Sequence, residues 1–177
     1  MSKIDAKDRF YYDKDFLSSP SGRSLRILSE YYGPLQRLQR NKISDTIVFF
    51  GSARTLSKED AEKALKNAPK NADQQTMNRL KMDLKMSRYY EDARLLAGKF
   101  TKWSKRLKGT NNRYIICSGG GPGIMEASNR GASEEGGINV GLTISLPYES
   151  SGNKWISDDL SMKFHYFFMR KFWFLYL

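Results

Sequence analysis

Apolar and polar positions alternate between two periods along this chain, and the switches between them mark its elements. Short apolar runs occur at Thr46-Ile47-Val48-Phe49-Phe50, Tyr114-Ile115-Ile116-Cys117 and Ile138 to Leu146, each bounded by glycine, asparagine or proline, which predicts three strands. A fourth strand is predicted at about Ser161 to His165. Between them the spacing is helical. Ser57 offers an N-cap for a helix to about Ala68, ended by Pro69, and further helices cover Gln74 to Met86 and Arg88 to Leu107, either separately or as one. In the latter stretch Met77, Leu80, Leu84, Tyr89, Ala93, Leu96, Phe100, Trp103 and Leu107 recur every three or four residues, so they are expected to face inward with the lysines outside. Another helix runs from Gly123 to Glu135 and is capped by Gly136-Gly137.

Strand and helix in alternation predict an α/β fold: a Rossmann-like, doubly wound parallel sheet with helices on both faces. Residues 45–177 are expected to form this domain, and residues 1–44 an N-terminal helical extension. Within the extension Ser21 to Arg40 reads as helix interrupted at Gly33-Pro34. The end of the chain, from Phe164 to Leu177, is apolar and aromatic to its last residue, with no polar cap. It reads as a domain incomplete at its C-terminus. Such a face needs a covering surface, and a homodimer is the expected oligomer.

The turn after the second strand carries the chemistry. Ser118-Gly119-Gly120-Gly121-Pro122-Gly123 lets the backbone approach a ligand, while the helix that follows brings unpaired N–H groups and the positive end of its dipole, with Pro122 and Gly123 in its first turn. Phosphate suits that combination. The turn after the first strand, Gly51-Ser52-Ala53-Arg54, ends at the same carboxyl edge, where open α/β sheets place ligands.

Charge and composition narrow the classes. The net charge is +11, and +8 of it lies between Lys58 and Arg113, where 15 Lys and Arg stand against 7 Asp and Glu. These charges sit on predicted helices as a solvated face, without an aromatic platform beside them, so nucleic-acid binding through Lys102, Lys105 and Arg106 ranks below the nucleotide reading. No stretch reaches membrane-span length and the N-terminus lacks a secretory core, which leaves a cytoplasmic protein. The lone Cys117 and the lone His165 sit among apolar residues and are expected to pack. No metal cluster and no cofactor are expected.

Four stretches in order then resemble a known family: Phe50-Gly51-Ser52-Ala53-Arg54, Ser118 to Ala127, Gly141 to Glu149, and Phe164 to Lys171. They resemble the LOG family, often labelled "lysine decarboxylase", whose characterised members are phosphoribohydrolases. These cleave the N-glycosidic bond of AMP or of cytokinin riboside monophosphates to give free base and ribose 5-phosphate. The resemblance covers residues 45–177, and the extension is like that of the longer bacterial members. It implies that Gly51, Ser52, Gly119, Gly120, Gly121, Glu149, Arg170 and Lys171 bind the nucleotide, with Arg170 also catalytic. It places the family's second motif, PGGxGTxxE, and the glutamate that assists hydrolysis beyond Leu177, so these residues alone are expected to be inactive. A decarboxylase would need a Schiff-base lysine for pyridoxal, and no lysine here has such a setting. A nucleotide-binding protein without hydrolytic activity is the alternative.

Overall fold

The computed structural model describes residues 9–109, 111–145 and 152–176. Four parallel strands form one sheet in the order β1 (Thr46–Phe49), β2 (Ile115–Ser118), β3 (Asn139–Ile144) and β4 (Ser161–Phe164). The expected α/β architecture is present, with helices on both faces. The strands are close to the apolar runs in extent, and β2 begins and ends one residue later than its run, at Ser118, which pairs with both Phe49 and Gly141.

One face is covered by α2 (Arg23–Arg40) and α6 (Phe167–Tyr176), whose Leu38, Met169 and Trp173 pack on Cys117, Val140, Leu142, Met162 and Phe164. The other is covered by α4 (Gln74–Ser104) and α5 (Ile124–Glu134), where Ala97 and Ala132 meet Ile116. Burial of β2 and most of β3 on both faces explains why their sequences are continuously apolar rather than alternating. A five-residue α1 (Lys14–Ser18) leads into α2, and α3 (Lys58–Lys66) begins at Ser57, whose hydroxyl accepts the Asp60 N–H as expected of a cap.

Two helical expectations are corrected. Gly33-Pro34 does not interrupt α2, which runs unbroken with Pro34 buried inside it. Proline deprives the Glu30 carbonyl of its helical donor, and the Trp173 indole N–H takes that place at 2.8 Å. The Glu30 carboxylate in turn accepts the N–H groups of His165 (2.6 Å) and Tyr166 (3.2 Å) at the start of α6. The defect in one helix is therefore where the other docks.

The second correction concerns α4, one continuous helix. Its buried side carries Ser87, Tyr90, Ala97, Gly98 and Thr101, while Tyr89, Leu96, Trp103 and Leu107 are exposed. Small residues win the inner side because α4 and α5 cross closely. A Cβ on Gly131 would collide with the Arg94 carbonyl, and one on Gly98 would lie 3.3 Å from the Gly131 oxygen. Among the described residues no helix is long and apolar enough to cross a membrane.

Candidate functional site

Parallel strands bring their carboxyl ends to one edge, so the turns after β1 and β2 and the chain leaving β3 converge there. The glycine turn is built tightly. Gly120 has φ +73° and a Cβ there would lie 2.5 Å from Thr143 Cγ2, so both backbone angle and space demand glycine. Gly123 has φ +72° and forms the N-cap of α5, so Pro122 and Gly123 precede the helix instead of opening its first turn. The Ile124 N–H donates to the Ser52 carbonyl at 3.0 Å, which locks the turn after β1 onto the start of α5. Among the described residues the next two N–H groups, of Met125 and Glu126, have no acceptor. These two donors are the ones α5 offers at that edge.

The residues named from the sequence are placed as follows. Gly51 packs so closely on Ile124 that a Cβ would lie 2.5 Å from its side chain, and the Ser52 hydroxyl accepts the Arg54 N–H at 3.1 Å. Arg170 reaches from α6 across the sheet end, where its Nε donates to the Leu142 carbonyl (2.6 Å) and its Nη2 to the Gly119 carbonyl (3.1 Å). Its guanidinium also lies 5.3 Å from the centre of the Phe174 ring. Arg170 thus bonds Gly119 of the glycine turn, while Gly51 and Ser52 meet the start of α5 at the same end of the sheet. Lys171 is exposed with its ammonium 5.1 Å from the centre of the Phe167 ring. Glu149 lies outside the described residues. Glu126 accepts a hydrogen bond from the Tyr90 hydroxyl at 3.4 Å.

A buried asparagine network holds the turn from beneath, and sequence reasoning missed it. The Ser118 hydroxyl donates to Asn129 Oδ1 (2.6 Å) and accepts the Gly120 N–H (3.0 Å). Asn129 Nδ2 donates to Asn139 Oδ1 (2.8 Å) and to the Val140 carbonyl (3.2 Å). Asn153 Nδ2 lies 3.2 Å from the Gly120 and Gly121 carbonyls and 3.0 Å from Asn129 Oδ1. Asn129 and Asn139 are almost wholly buried. The available signal was Asn129 itself: it stands on the inner side of an amphipathic helix, one turn from Met125 and Ala132, where an unpaired amide would be costly.

Electrostatics separate the edge from its surroundings. Burial pushes the Cys117 thiol up to about 12, against a smaller opposing effect of Arg170, so Cys117 is an inert packing group. His165 is exposed, edge-on to the Tyr166 ring. A groove between α4 and α5 lies away from this edge; of the charged residues that line it, Glu91, Arg94, Lys102, Glu134 and Glu135 are joined in Arg94–Glu134, Arg94–Glu91 and Lys102–Glu135 ion pairs, and Asp92 and Lys99 stand at its rim. No group of three or more potential metal ligands occurs among the described residues.

A family model, that of the SLOG cluster4 family (LDcluster4), matches residues 109–165. The matched stretch contains β2, the glycine turn, α5, β3 and β4, and leaves out the turn after β1 and Arg170. The SLOG superfamily includes LOG-like proteins and nucleotide-processing enzymes, which makes the similarity one to nucleotide-related proteins. No curated protein matches the chain.

Proposed function

We propose that this edge binds a nucleoside 5′-monophosphate, with the phosphate against the glycine turn and the first turn of α5. The observation that carries the reading is the turn itself. Gly120 and Gly123 hold left-handed backbone angles, Asn153 and Arg170 bond the loop's carbonyls with Asn129 behind Asn153 and Ser118, and the N–H groups of Met125 and Glu126 remain for an anion. An anion placed there also gains from the α5 dipole.

The reaction we propose for the intact protein, these residues alone being expected to be inactive, is hydrolysis of the N-glycosidic bond, releasing free base and ribose 5-phosphate. The bond breaks through an oxocarbenium-like state, which a carboxylate stabilises or for which it activates water. Arg170 holds the ends of β2 and β3 in register and sets its guanidinium beside the phosphate region, where a planar fork of donors suits phosphate or ribose oxygens. Gly51, Ser52, Gly119, Gly121, Glu149 and Lys171 complete the proposed binding set. Glu126, which accepts the Tyr90 hydroxyl at 3.4 Å, is given no part in the reaction.

The test is chromatographic detection of free base from AMP and from a cytokinin riboside monophosphate, with calorimetric binding of AMP and adenosine alongside. AMP binding that adenosine does not share, weakened by Gly120→Ala, supports the phosphate site, and base release lost in Arg170→Ala supports hydrolysis. AMP binding with no base release leaves a nucleotide-binding protein. Equal binding of AMP and adenosine overturns the phosphate placement.

A further inference from the structure

The exposed side of α4 and the turn that follows it carry an apolar row whose spacing is that of a two-helix seam. Met82, Met86, Tyr89, Ala93, Leu96, Phe100, Trp103 and Leu107 follow one another at intervals of four and three residues without a break. Six of these side chains remain between 38% and 53% exposed. From Met82 to Trp103, inside α4, the four-three repeat covers three heptads and keeps one line of side chains facing a partner helix along roughly 32 Å at about 1.5 Å per residue, and Leu107 follows in the turn beyond Ser104. Among the described residues the chain covers this row only in part: Phe100 packs toward Ile116 and the Trp103 ring lies 4.9 Å from that of Tyr114, and no second helix lies along Met82, Met86, Tyr89 and Leu96, which stay exposed.

We infer that this row is the interface between two copies of the chain, packed antiparallel through α4. The seam is complementary to itself about a twofold axis between Arg94 and Leu95. In that register Ala93 meets Leu96 of the second copy, Tyr89 meets Phe100 and Met86 meets Trp103, and Met82 reaches toward the turn that carries Leu107. The smallest residue of the seam thus lies opposite a leucine at the axis, and larger pairs follow outward. On the exposed flank the same register sets Asp92 beside Lys99 of the second copy, twice by symmetry. Lys85 and Arg106, the like-charged pair on that flank, fall near the ends of the seam, where water screens them. Antiparallel packing also opposes the two helix dipoles. This inference does not rest on the nucleotide reading, and it locates a homodimer on α4 rather than on the apolar α6.

Sedimentation velocity over a concentration series tests it. The chain is expected to sediment as a dimer. Leu96→Glu places two carboxylates at the axis and is expected to raise the dissociation constant by roughly 100-fold or more, whereas Leu95→Glu, exposed but off the seam, leaves it unchanged. Asp92→Lys is expected to weaken the dimer about tenfold, and adding Lys99→Asp to restore it. The charge pair decides the matter should Leu96→Glu fail to fold. A monomer at every concentration, including one that instead binds anionic vesicles, overturns the proposal. So does a dimer indifferent to Leu96→Glu, or one that the charge swap does not rescue.

Discussion

Replacing Asn129 by aspartate changes one buried amide into an isosteric acid and tests whether the network beneath the glycine turn sets its stability. Asn129 uses both ends of its amide: Oδ1 accepts from Ser118 and Asn153, and Nδ2 donates to Asn139 Oδ1 and the Val140 carbonyl. The ionised aspartate of the variant keeps the accepting half and loses both donations. Two acceptors lose this donor and now face an anion, at about 1–3 kcal/mol each, so the loss is about 2–6 kcal/mol near pH 7. That is a large share of the roughly 5–15 kcal/mol that holds a domain of ordinary stability. Urea unfolding followed by circular dichroism reads it as a lower midpoint at unchanged slope. The pH dependence gives a second readout. Burial raises the folded pKa of the introduced carboxyl above its unfolded value of about 3.9, so ionisation costs stability as pH rises beyond that value, and the gap to the unmodified chain narrows as pH falls. A loss below about 1 kcal/mol at pH 7, or a gap that widens on acidification, would refute the reasoning.

Three further outcomes follow from named contacts. Trp173→Phe removes the donor that serves the Glu30 carbonyl, at about 1–3 kcal/mol, and Pro34→Ala in the same chain is expected to recover part of the loss by restoring the helical N–H. A double-mutant cycle by urea unfolding with no coupling between the two would count against the docking role of Pro34. Gly131→Ala drives a methyl into the Arg94 carbonyl and is expected to cost about 1–3 kcal/mol by the same assay, since neither helix backbone can yield freely. Burial disfavours the charged form of Glu134, but hydrogen bonds from Arg94 and Arg130 outweigh it and leave its pKa lowered. A lowered pKa gives stability that is present above the unfolded value and is lost as pH falls through the folded one, so the advantage over Glu134→Gln is constant near neutrality and closes below about pH 4.3. An advantage that persists well below that pH, once the carboxyl is protonated in both states, would contradict the assignment.

The fold was legible because its strands and turns are written in short-range chemistry. The apolar runs lie between glycine, asparagine and proline, and the Ser57 cap is a local pattern, so the four strands and α3 to α5 fall close to their expected places. What failed depends on partners distant in sequence. Pro34 reads as a break in any local window, and only Trp173, far along the chain in α6, supplies the missing donor. The inner side of α4 was misjudged for a related reason: apolar spacing tells which residues share a side, not whether the chain's own body or another surface covers it. At the carboxyl edge the glycines were visible because glycine is the residue that such backbone angles require. The asparagines that hold them were not, since nothing distinguishes an asparagine until its burial is known.

A glycine turn that adopts two left-handed angles is floppy in isolation, because the residues that permit the geometry also permit many others. Preorganisation must therefore come from outside the turn, and here it comes from Ser118 and Asn153 hydrogen-bonded at Gly120, Asn129 behind them, and Arg170 at Gly119. Arg170 is then bound to two functions at once. Its removal frees the Gly119 and Leu142 carbonyls as well as taking a cation from the proposed phosphate site, so Arg170→Ala alone would confuse loss of shape with loss of charge. Arg170→Lys separates them: it keeps the charge but cannot span both carbonyls with a planar fork. If the fork matters most, the lysine variant binds AMP as poorly as the alanine variant and unfolds at a similar urea concentration. If charge matters most, it retains most of the binding while sharing the loss of stability.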